Sequence, residues 1–201
     1  MIIGLTGGIG SGKSTIAQQL RTMGYAVYDT DSEAKRLIVE NAAVRQQIEH
    51  LFGNEVYAGG IYQTALVAQR VFTDKSLLAQ LNDIVHPAVK DDILRWATWL
   101  KSTYCSQKSG AELCFVECAI LYQAEFDTLC DKVVAVTASE ELRLARVIAR
   151  DKSNIDKVRA RMRVQDANQD LKRADIVIHN DGHTEIPTLC EQIISELLAK
   201  G

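Results

Sequence analysis

The glycine-rich segment GLTGGIGSGKST constrains the fold of this chain more than any other segment. From Gly7 to Ser14 it fits the pattern G-x-x-x-x-G-K-[ST], in which glycines let backbone N–H groups turn toward one anion without Cβ clashes. The apolar run 2–6 precedes it, and apolar residues at helical spacing follow from Lys13 to Met23. This order of strand, loop and helix predicts a phosphate-binding loop at the start of a helix.

Four further short runs rich in Val, Ile and Leu predict the remaining strands, at 25–29, 113–118, 132–138 and 174–180. They are apolar along nearly their whole length, as strands covered on both faces are. Helical patterns lie between them, and this alternation predicts an α/β fold with a parallel sheet.

More than 80 residues separate the second and third predicted strands, which is too many for one crossover helix. Helical patterns at 75–85 and 88–100 occupy part of this gap. We predict a break between them at His86 and Pro87, because proline disfavours helical backbone before it. The gap as a whole predicts a helical insertion at about 57–105 beside the sheet. The polar segment 101–112 predicts a surface connection.

A basic stretch follows the fourth predicted strand, at about 150–168. The chain carries a net charge of −3, yet residues 143–173 contain ten Lys and Arg against four Asp. Arginines that close over a nucleotide stabilise charge on the phosphoryl oxygens and exclude water, so the pattern predicts a mobile arginine-rich lid. The alternative is a solvated helix face held by charge pairs at helical spacing.

The composition favours a cytoplasmic protein whose anion recognition is local. The net charge of −3 gives no general attraction to nucleic acid or anionic lipid, so we expect neither as a partner. No apolar stretch approaches the roughly 18 residues that span a bilayer, and the amino terminus has no targeting pattern. Five cysteines without a C-x-x-C pair favour reduced thiols over disulfides or a zinc site.

The phosphate loop supplies the candidate groups for a nucleotide, which we expect to be ATP with Mg²⁺. Lys13 can reach the β- and γ-phosphates, and the Ser14 hydroxyl is the candidate metal ligand. The predicted nucleotide-binding residues of the loop are Gly10, Ser11, Gly12, Lys13, Ser14 and Thr15.

A phosphate loop alone does not distinguish a small-molecule kinase from a GTPase or a motor ATPase. The chain has no N-K-x-D segment for guanine, and its apolar run LCFVE ends in Glu117 where a motor would have Asp. Asp29 and Asp31 follow the second strand, where a carboxylate could orient an attacking hydroxyl. The alternative is that Asp31 or Ser32 caps the next helix.

Over nearly its full length the chain resembles the dephospho-CoA kinase family. The resemblance is carried, in order, by IGLTGGIGSGKST at the start, DTD at 29–31, LNDIVHP at 81–87, RVIARD at 146–151 and ADIVIHNDG at 174–182. It implies a three-layer α/β/α P-loop kinase domain over 1–201 that transfers the γ-phosphoryl of ATP to the 3′-hydroxyl of dephospho-CoA, with Mg²⁺. The alternatives are another small-metabolite or nucleoside monophosphate kinase, and a nucleotide-binding module without transfer activity.

The resemblance also implies roles for individual residues. Asp31 is the catalytic and acceptor-binding carboxylate, with Asp29 supporting it. Lys13 acts at the donor, and Arg146 and Arg150 match the lid-side arginines of the catalytic group.

Other implied roles concern the two substrates. Asn180 and Gly182 fall in the loop that borders the adenine of ATP. His86 falls in the wall on the side of the acceptor, dephospho-CoA, although a structural histidine before Pro87 explains it as well. We expect a monomer.

The chain departs from the family pattern at two places. Where the family has P-L-L-[FY]-E, this chain has Ala119 to Gln123 without the proline and the acid, and Thr64 stands where an arginine is common. These departures bear on acceptor binding and leave the phosphate loop unchanged.

Overall fold

The structure is a computed structural model that describes residues 1–104, 113–151, 155, 158–159, 162 and 171–199. The chain divides into two compact units, of which the first comprises Met1–Tyr28 with Trp99–Gly201 and the second Asp29–Thr98. The single domain over 1–201 stays a prediction.

Five strands form one sheet in the order β2-β3-β1-β4-β5. They are β1 (Ile2–Gly7), β2 (Ala26–Asp29), β3 (Cys114–Glu117), β4 (Lys132–Thr137) and β5 (Ile176–His179). Strand β1 pairs in parallel with β3 and β4, and β4 pairs in parallel with β5. Every residue of β1 is buried, which explains its unbroken apolar run. The predicted α/β fold with five parallel strands is confirmed.

Helices separate the strands. They are α1 (Lys13–Thr22), α2 (Thr30–Glu40), α3 (Ala42–Phe52), α4 (Thr64–Thr73), α5 (Lys75–Tyr104), α6 (Glu140–Asp151) and α7 (Ile186–Ala199). Short 3₁₀ segments lie at Asn54–Gly60 and Phe126–Leu129. No helix in the described ranges is long and apolar enough to cross a lipid bilayer.

The core of the first unit joins the central strands to α1 and α7. Ile16 and Leu20 of α1 share one buried cluster with Ile193 and Leu197 of α7 and with the inward residues of β1, β3, β4 and β5. Burial of such a side chain contributes about 1.5–3 kcal/mol. This packing fixes the position at which β1 ends and α1 begins, and therefore the position of the phosphate loop.

The second unit is helical and contains α2, α3, α4 and most of α5. The Arg36 guanidinium on α2 donates to Asp92 on α5 at 2.8 Å, and the Tyr57 hydroxyl donates to the Ile38 carbonyl at 2.7 Å. Helices α4 and α5 lie within the range of the predicted insertion at about 57–105, and the compact unit begins earlier, at Asp29. The insertion itself stays a prediction.

The predicted helix break at His86 and Pro87 is wrong, because α5 runs without interruption through Pro87. Proline removes one helical hydrogen bond and costs about 3 kcal/mol in a helix interior. The helix face is buried both before Pro87, at Val85, and after it, at Val89 and Ile93. The packing of this face therefore outweighs the cost of the proline. The predicted connection 101–112 begins as the last turn of α5, and its remainder, 105–112, lies outside the described residues.

Candidate active site

The loop between β1 and α1 has the conformation of an anion-binding nest. Gly10 and Gly12 have φ values of 81° and 93°, a region that glycine enters without strain. Helix α1 begins at Lys13 without a side-chain cap or an acidic residue in its first turn. Its first N–H groups and the positive end of its dipole are therefore left for an anionic ligand.

A buried carboxylate contacts both reactive side chains of the loop. Oε1 of Glu117 accepts hydrogen bonds from Lys13 Nζ and from Ser14 Oγ, each at 2.7 Å. Glu117 is only 5% exposed at the end of β3. A carboxylate this buried is costly unless it is paired, and the Lys13 ammonium supplies the opposite charge.

Glu117 was not among the predicted site residues. The sequence feature that pointed to Glu117 was the run LCFVE, which ends in Glu where the corresponding strand of a motor ATPase ends in Asp. What the sequence did not reveal is the strand order, in which β3 is a direct neighbour of β1. That order brings the end of β3 to the phosphate loop.

Ser14 and Glu117 together fit a magnesium ion. A hydroxyl and a carboxylate are oxygen ligands of the kind Mg²⁺ prefers, and this ion is usually held by one or two protein groups together with phosphates and water. No cluster of three or more His, Cys, Asp or Glu suited to a metal occurs among the described residues. A site completed by the phosphates of a nucleotide is consistent with both observations.

Arg146, predicted as a lid-side catalytic arginine, and Asn180, predicted beside the adenine, meet at the phosphate loop. Arg146 Nη2 donates to Asn180 Oδ1 at 2.9 Å, and Asn180 Nδ2 donates to the Ser11 carbonyl at 2.9 Å. Arg146 Nη1 donates to the same carbonyl at 3.2 Å. Gly182 lies beside this pair, since a Cβ built on it would be 3.6 Å from Arg146 Nη2.

Arg150 is placed differently from Arg146. It is exposed, and its guanidinium donates to Asp151 at 2.6 and 3.0 Å. The hydrogen bond to Asp151 raises the pKa of Arg150 above its ordinary value. Of the other lid arginines, Arg159 is exposed, and Arg161 and Arg163 lie outside the described residues, as does most of the predicted lid at about 150–168.

Arg143 also contacts the phosphate loop and was missed as a site residue. Its Nε donates to the Ile9 carbonyl at 2.9 Å, and burial lowers the pKa of its guanidinium. In the sequence, Arg143 stands three residues before Arg146, and this helical spacing places both side chains on one face of α6. That spacing could have identified Arg143 as a site residue.

Asp29 and Asp31 lie at the start of the second unit and differ in their contacts. Asp29 is the N-cap of α2, because its Oδ1 accepts from the N–H groups of Asp31 and Ser32 at 3.0 and 3.1 Å. The alternative that Asp31 or Ser32 caps this helix is wrong, since α2 begins at Thr30. The Asp31 carboxylate is exposed and makes no hydrogen bond to another described residue.

His86 is half-buried on α5, also in the second unit. Burial lowers its pKa, and the nearby charge of Lys90 lowers it further. The imidazole is therefore mainly neutral at pH 7.

A parallel sheet with a phosphate loop after its central strand, and with a buried acid bonded to the loop lysine and serine, defines a P-loop nucleotide-binding protein, the class that includes ATPases, GTPases and small-molecule kinases. The family model described as dephospho-CoA kinase matches residues 1–185. The chain belongs to the dephospho-CoA kinase family, the ATP-dependent kinases that complete coenzyme A synthesis.

Individual relatives agree with this assignment. A dephospho-CoA kinase of Porphyromonas gingivalis is 41% identical over 172 residues, which cover 86% of this chain and 81% of the relative. The solved dephospho-CoA kinase from Campylobacter jejuni is 25% identical, covers 98% of this chain and 96% of its own, and has a TM-score of 0.70. The solved structure of TT1252 from Thermus thermophilus is 32% identical, covers 100% of this chain and 97% of its own, and has a TM-score of 0.78.

Proposed function

We propose that this chain transfers the γ-phosphoryl group of ATP to the 3′-hydroxyl of dephospho-CoA. The 3′-oxygen forms a bond to the γ-phosphorus, the bond from that phosphorus to the β–γ bridging oxygen breaks, and ADP leaves. Family membership supports the choice of substrates. The observation that carries the chemistry is the buried contact of Glu117 with Lys13 and Ser14.

At the donor end, the loop from Gly10 to Thr15 binds the phosphates of ATP through its N–H groups. The exceptions are the N–H groups of Ser11 and Thr15, which close turns on the Gly8 and Gly12 carbonyls at 3.0 and 3.1 Å. Lys13 exchanges part of its contact with Glu117 for the β- and γ-phosphates, where its charge offsets the charge that develops during transfer. Ser14 and Glu117 would hold Mg²⁺, which neutralises phosphate charge when it is bound.

At the acceptor end, Asp31 orients the ribose hydroxyl and takes its proton. Its exposed carboxylate has no described partner that would compete for this role. Asp29 fixes the first turn of α2 and thereby the backbone of Asp31. His86 contributes to the wall that receives the acceptor.

The predicted arginines divide between two tasks. Arg150 is the candidate for the transferred phosphoryl group, because its exposed guanidinium can leave Asp151 for a phosphate at little cost. The second task is to bind the loop, because Arg146 is already bonded to the loop carbonyls.

The adenine of ATP is bordered by the loop that contains Gly182.

An assay with several acceptors tests this function. The purified chain is incubated with Mg-ATP and, separately, dephospho-CoA, adenylate, guanylate, cytidylate or shikimate, and products are identified by mass. We expect phosphorylation of dephospho-CoA far above the others. Preferential phosphorylation of another acceptor would favour a different metabolite kinase, and ATP binding without transfer to any acceptor would favour a regulatory module.

Light scattering in the same preparation tests the proposed monomer, and cell fractionation tests the proposed cytoplasmic location.

A further inference from the structure

Three successive carbonyl groups of the phosphate loop accept hydrogen bonds from side chains outside the loop. Arg143 Nε donates to the Ile9 carbonyl at 2.9 Å. Arg146 Nη1 donates to the Gly10 carbonyl at 3.4 Å and to the Ser11 carbonyl at 3.2 Å. Asn180 Nδ2 donates to the Ser11 carbonyl at 2.9 Å. We call Arg143, Arg146 and Asn180 the loop brace.

The geometry of the peptide bond gives these contacts a consequence for phosphate binding. In a trans peptide the C=O of one residue and the N–H of the next are held in one plane and point in opposite directions. A carbonyl fixed toward the brace therefore fixes the following N–H away from it. Arg143 in this way orients the N–H of Gly10, and Arg146 with Asn180 orients the N–H of Gly12. The N–H between them, on Ser11, closes a turn on the Gly8 carbonyl at 3.0 Å.

Asn180 is anchored at both ends of its amide and at its backbone. The residue is 2% exposed, its Oδ1 accepts from Arg146 Nη2 at 2.9 Å, and its own N–H donates to the Thr137 carbonyl at 2.8 Å. Its side chain is thus held between the Ser11 carbonyl of the loop and Arg146 of α6, and its backbone is held by the end of β4. A buried amide with both ends satisfied has one orientation available to it.

The brace also lies against Gly10 and Gly12, whose φ values are 81° and 93°. A Cβ built on Gly12 would overlap Asn180 Nδ2, and one built on Gly10 would lie 2.5 Å from the Arg143 backbone carbonyl. The absence of side chains at these positions therefore serves the brace as well as the approach of a phosphate.

We propose that the loop brace holds the phosphate loop in its binding conformation before the nucleotide arrives, so that Arg143, Arg146 and Asn180 are positioning residues. The proposal rests on the proposed function only in that this loop binds the phosphates of ATP. It assigns Arg146 and Asn180 to the loop backbone in place of the transferred phosphoryl group and the adenine.

Calorimetry without an acceptor tests the brace independently of the reaction with dephospho-CoA. The full chain and its Asn180→Leu and Arg143→Gln variants are titrated with Mg-ATP, Mg-ITP and inorganic tripolyphosphate. Loss of one hydrogen bond to the loop should weaken all three ligands by the same factor, about tenfold. Glu191→Gln, an exposed side chain on α7, is the control that should leave all three affinities unchanged.

The ligands separate the possible outcomes. A loss confined to ATP, with ITP and tripolyphosphate unchanged, would show that Asn180 reads the adenine and would overturn the proposal. Equal losses would support it even if the chain failed to phosphorylate dephospho-CoA, so the two proposals can fail separately.

Amide NMR of the nucleotide-free chain supplies a readout that a general loss of stability would not produce. In both variants the amide resonances of Gly10 and Gly12 should shift, while that of Val134 in the core stays in place. Unchanged Gly10 and Gly12 resonances would overturn the brace. Arg143→Gln alters a half-buried side chain and keeps the test available if Asn180→Leu does not fold.

Discussion

The Nζ of Lys13 and the Oε1 of Glu117 lie 2.7 Å apart, with side-chain exposures of 11% and 6%. The loop lysine is therefore paired with a buried acid, and the Ser14 hydroxyl shares the same oxygen. A bound Mg-ATP would supply a cation to Glu117 and an anion to Lys13, so neither charge would be left unpaired. Glu117 thus links Lys13, Ser14 and the end of β3.

Replacement of Glu117 by glutamine should weaken the response of the enzyme to Mg²⁺. The amide keeps the shape of the side chain but loses the charge, so we expect the Mg²⁺ concentration for half-maximal activity to rise by about tenfold. The measurement is turnover against Mg²⁺ at saturating ATP. Glu141→Gln, on the exposed surface of α6, is the matched control. An unchanged Mg²⁺ dependence would remove Glu117 from the metal site.

Replacement of Asp31 by asparagine should reduce turnover by at least about a hundredfold, because the amide cannot take the proton of the acceptor hydroxyl. The affinity for ATP, measured by calorimetry, should stay within about twofold, since the general base acts on the acceptor and not on the donor. Turnover close to that of the original chain would show that Asp31 has no part in the chemistry.

Replacement of Asp29 by alanine should lower the free energy of unfolding by about 1 kcal/mol, because the first N–H groups of α2 lose their cap. Asp29→Asn keeps an oxygen that can accept the same bonds and should be nearly as stable as the original chain. Denaturant unfolding of the two variants makes the comparison. An equal loss of unfolding free energy in Asp29→Ala and Asp29→Asn would mean that the carboxylate charge, and not the hydrogen bonds of the cap, stabilises α2.

Replacing Gly12 and, separately, Gly24 by alanine distinguishes the effect of backbone strain from the effect of a contact with Asn180 of the loop brace. Both glycines have φ of 93°, so each substitution carries a strain of about 1–2 kcal/mol. A Cβ at Gly24 would meet nothing within 4 Å, whereas one at Gly12 would overlap Asn180. We expect Gly24→Ala to lower the melting temperature and bind ATP normally, and Gly12→Ala to lose ATP affinity by tenfold or more. Equal ATP affinities would contradict the contact.

The thiol of Cys130 should resist alkylation. Burial, followed by the charges of Asp127 and Asp131, raises its pKa to about 12, which leaves roughly a thousandfold less thiolate than an ordinary cysteine has at pH 8. Peptide mapping after iodoacetamide treatment at that pH should show Cys130 modified far more slowly than in the urea-unfolded chain. Equal rates in the two states would contradict the burial.

The sequence predicted those parts of the fold that depend on local pattern. The strand β1, the phosphate loop and α1 are contiguous, so the glycines, Lys13 and the apolar residues around them were sufficient to predict their structure. The break at Pro87 was wrong because the packing of α5 against the rest of its unit outweighs the local cost of proline.

The site was predictable where residues belong to one motif and not where they meet through the fold. Glu117 reaches Ser14 only because β3 lies next to β1, and nothing in the spacing of the strands along the chain gives that order. Arg143 was missed for the same reason, since its contact with the Ile9 carbonyl depends on where α6 lies against the loop. Asp29 and Asp31 were recognised together, but which of them caps α2 depended on a helix boundary of one or two residues.

The proposed reaction phosphorylates one hydroxyl of one acceptor. The most direct measurement is phosphorus NMR of the product formed from Mg-ATP and dephospho-CoA by the purified chain, with coupling to the ribose protons. We predict a new phosphate monoester coupled to the proton on C3′, in an amount equal to the ADP formed. Phosphorylation at another position, or release of ADP and inorganic phosphate without a new monoester, would contradict the account.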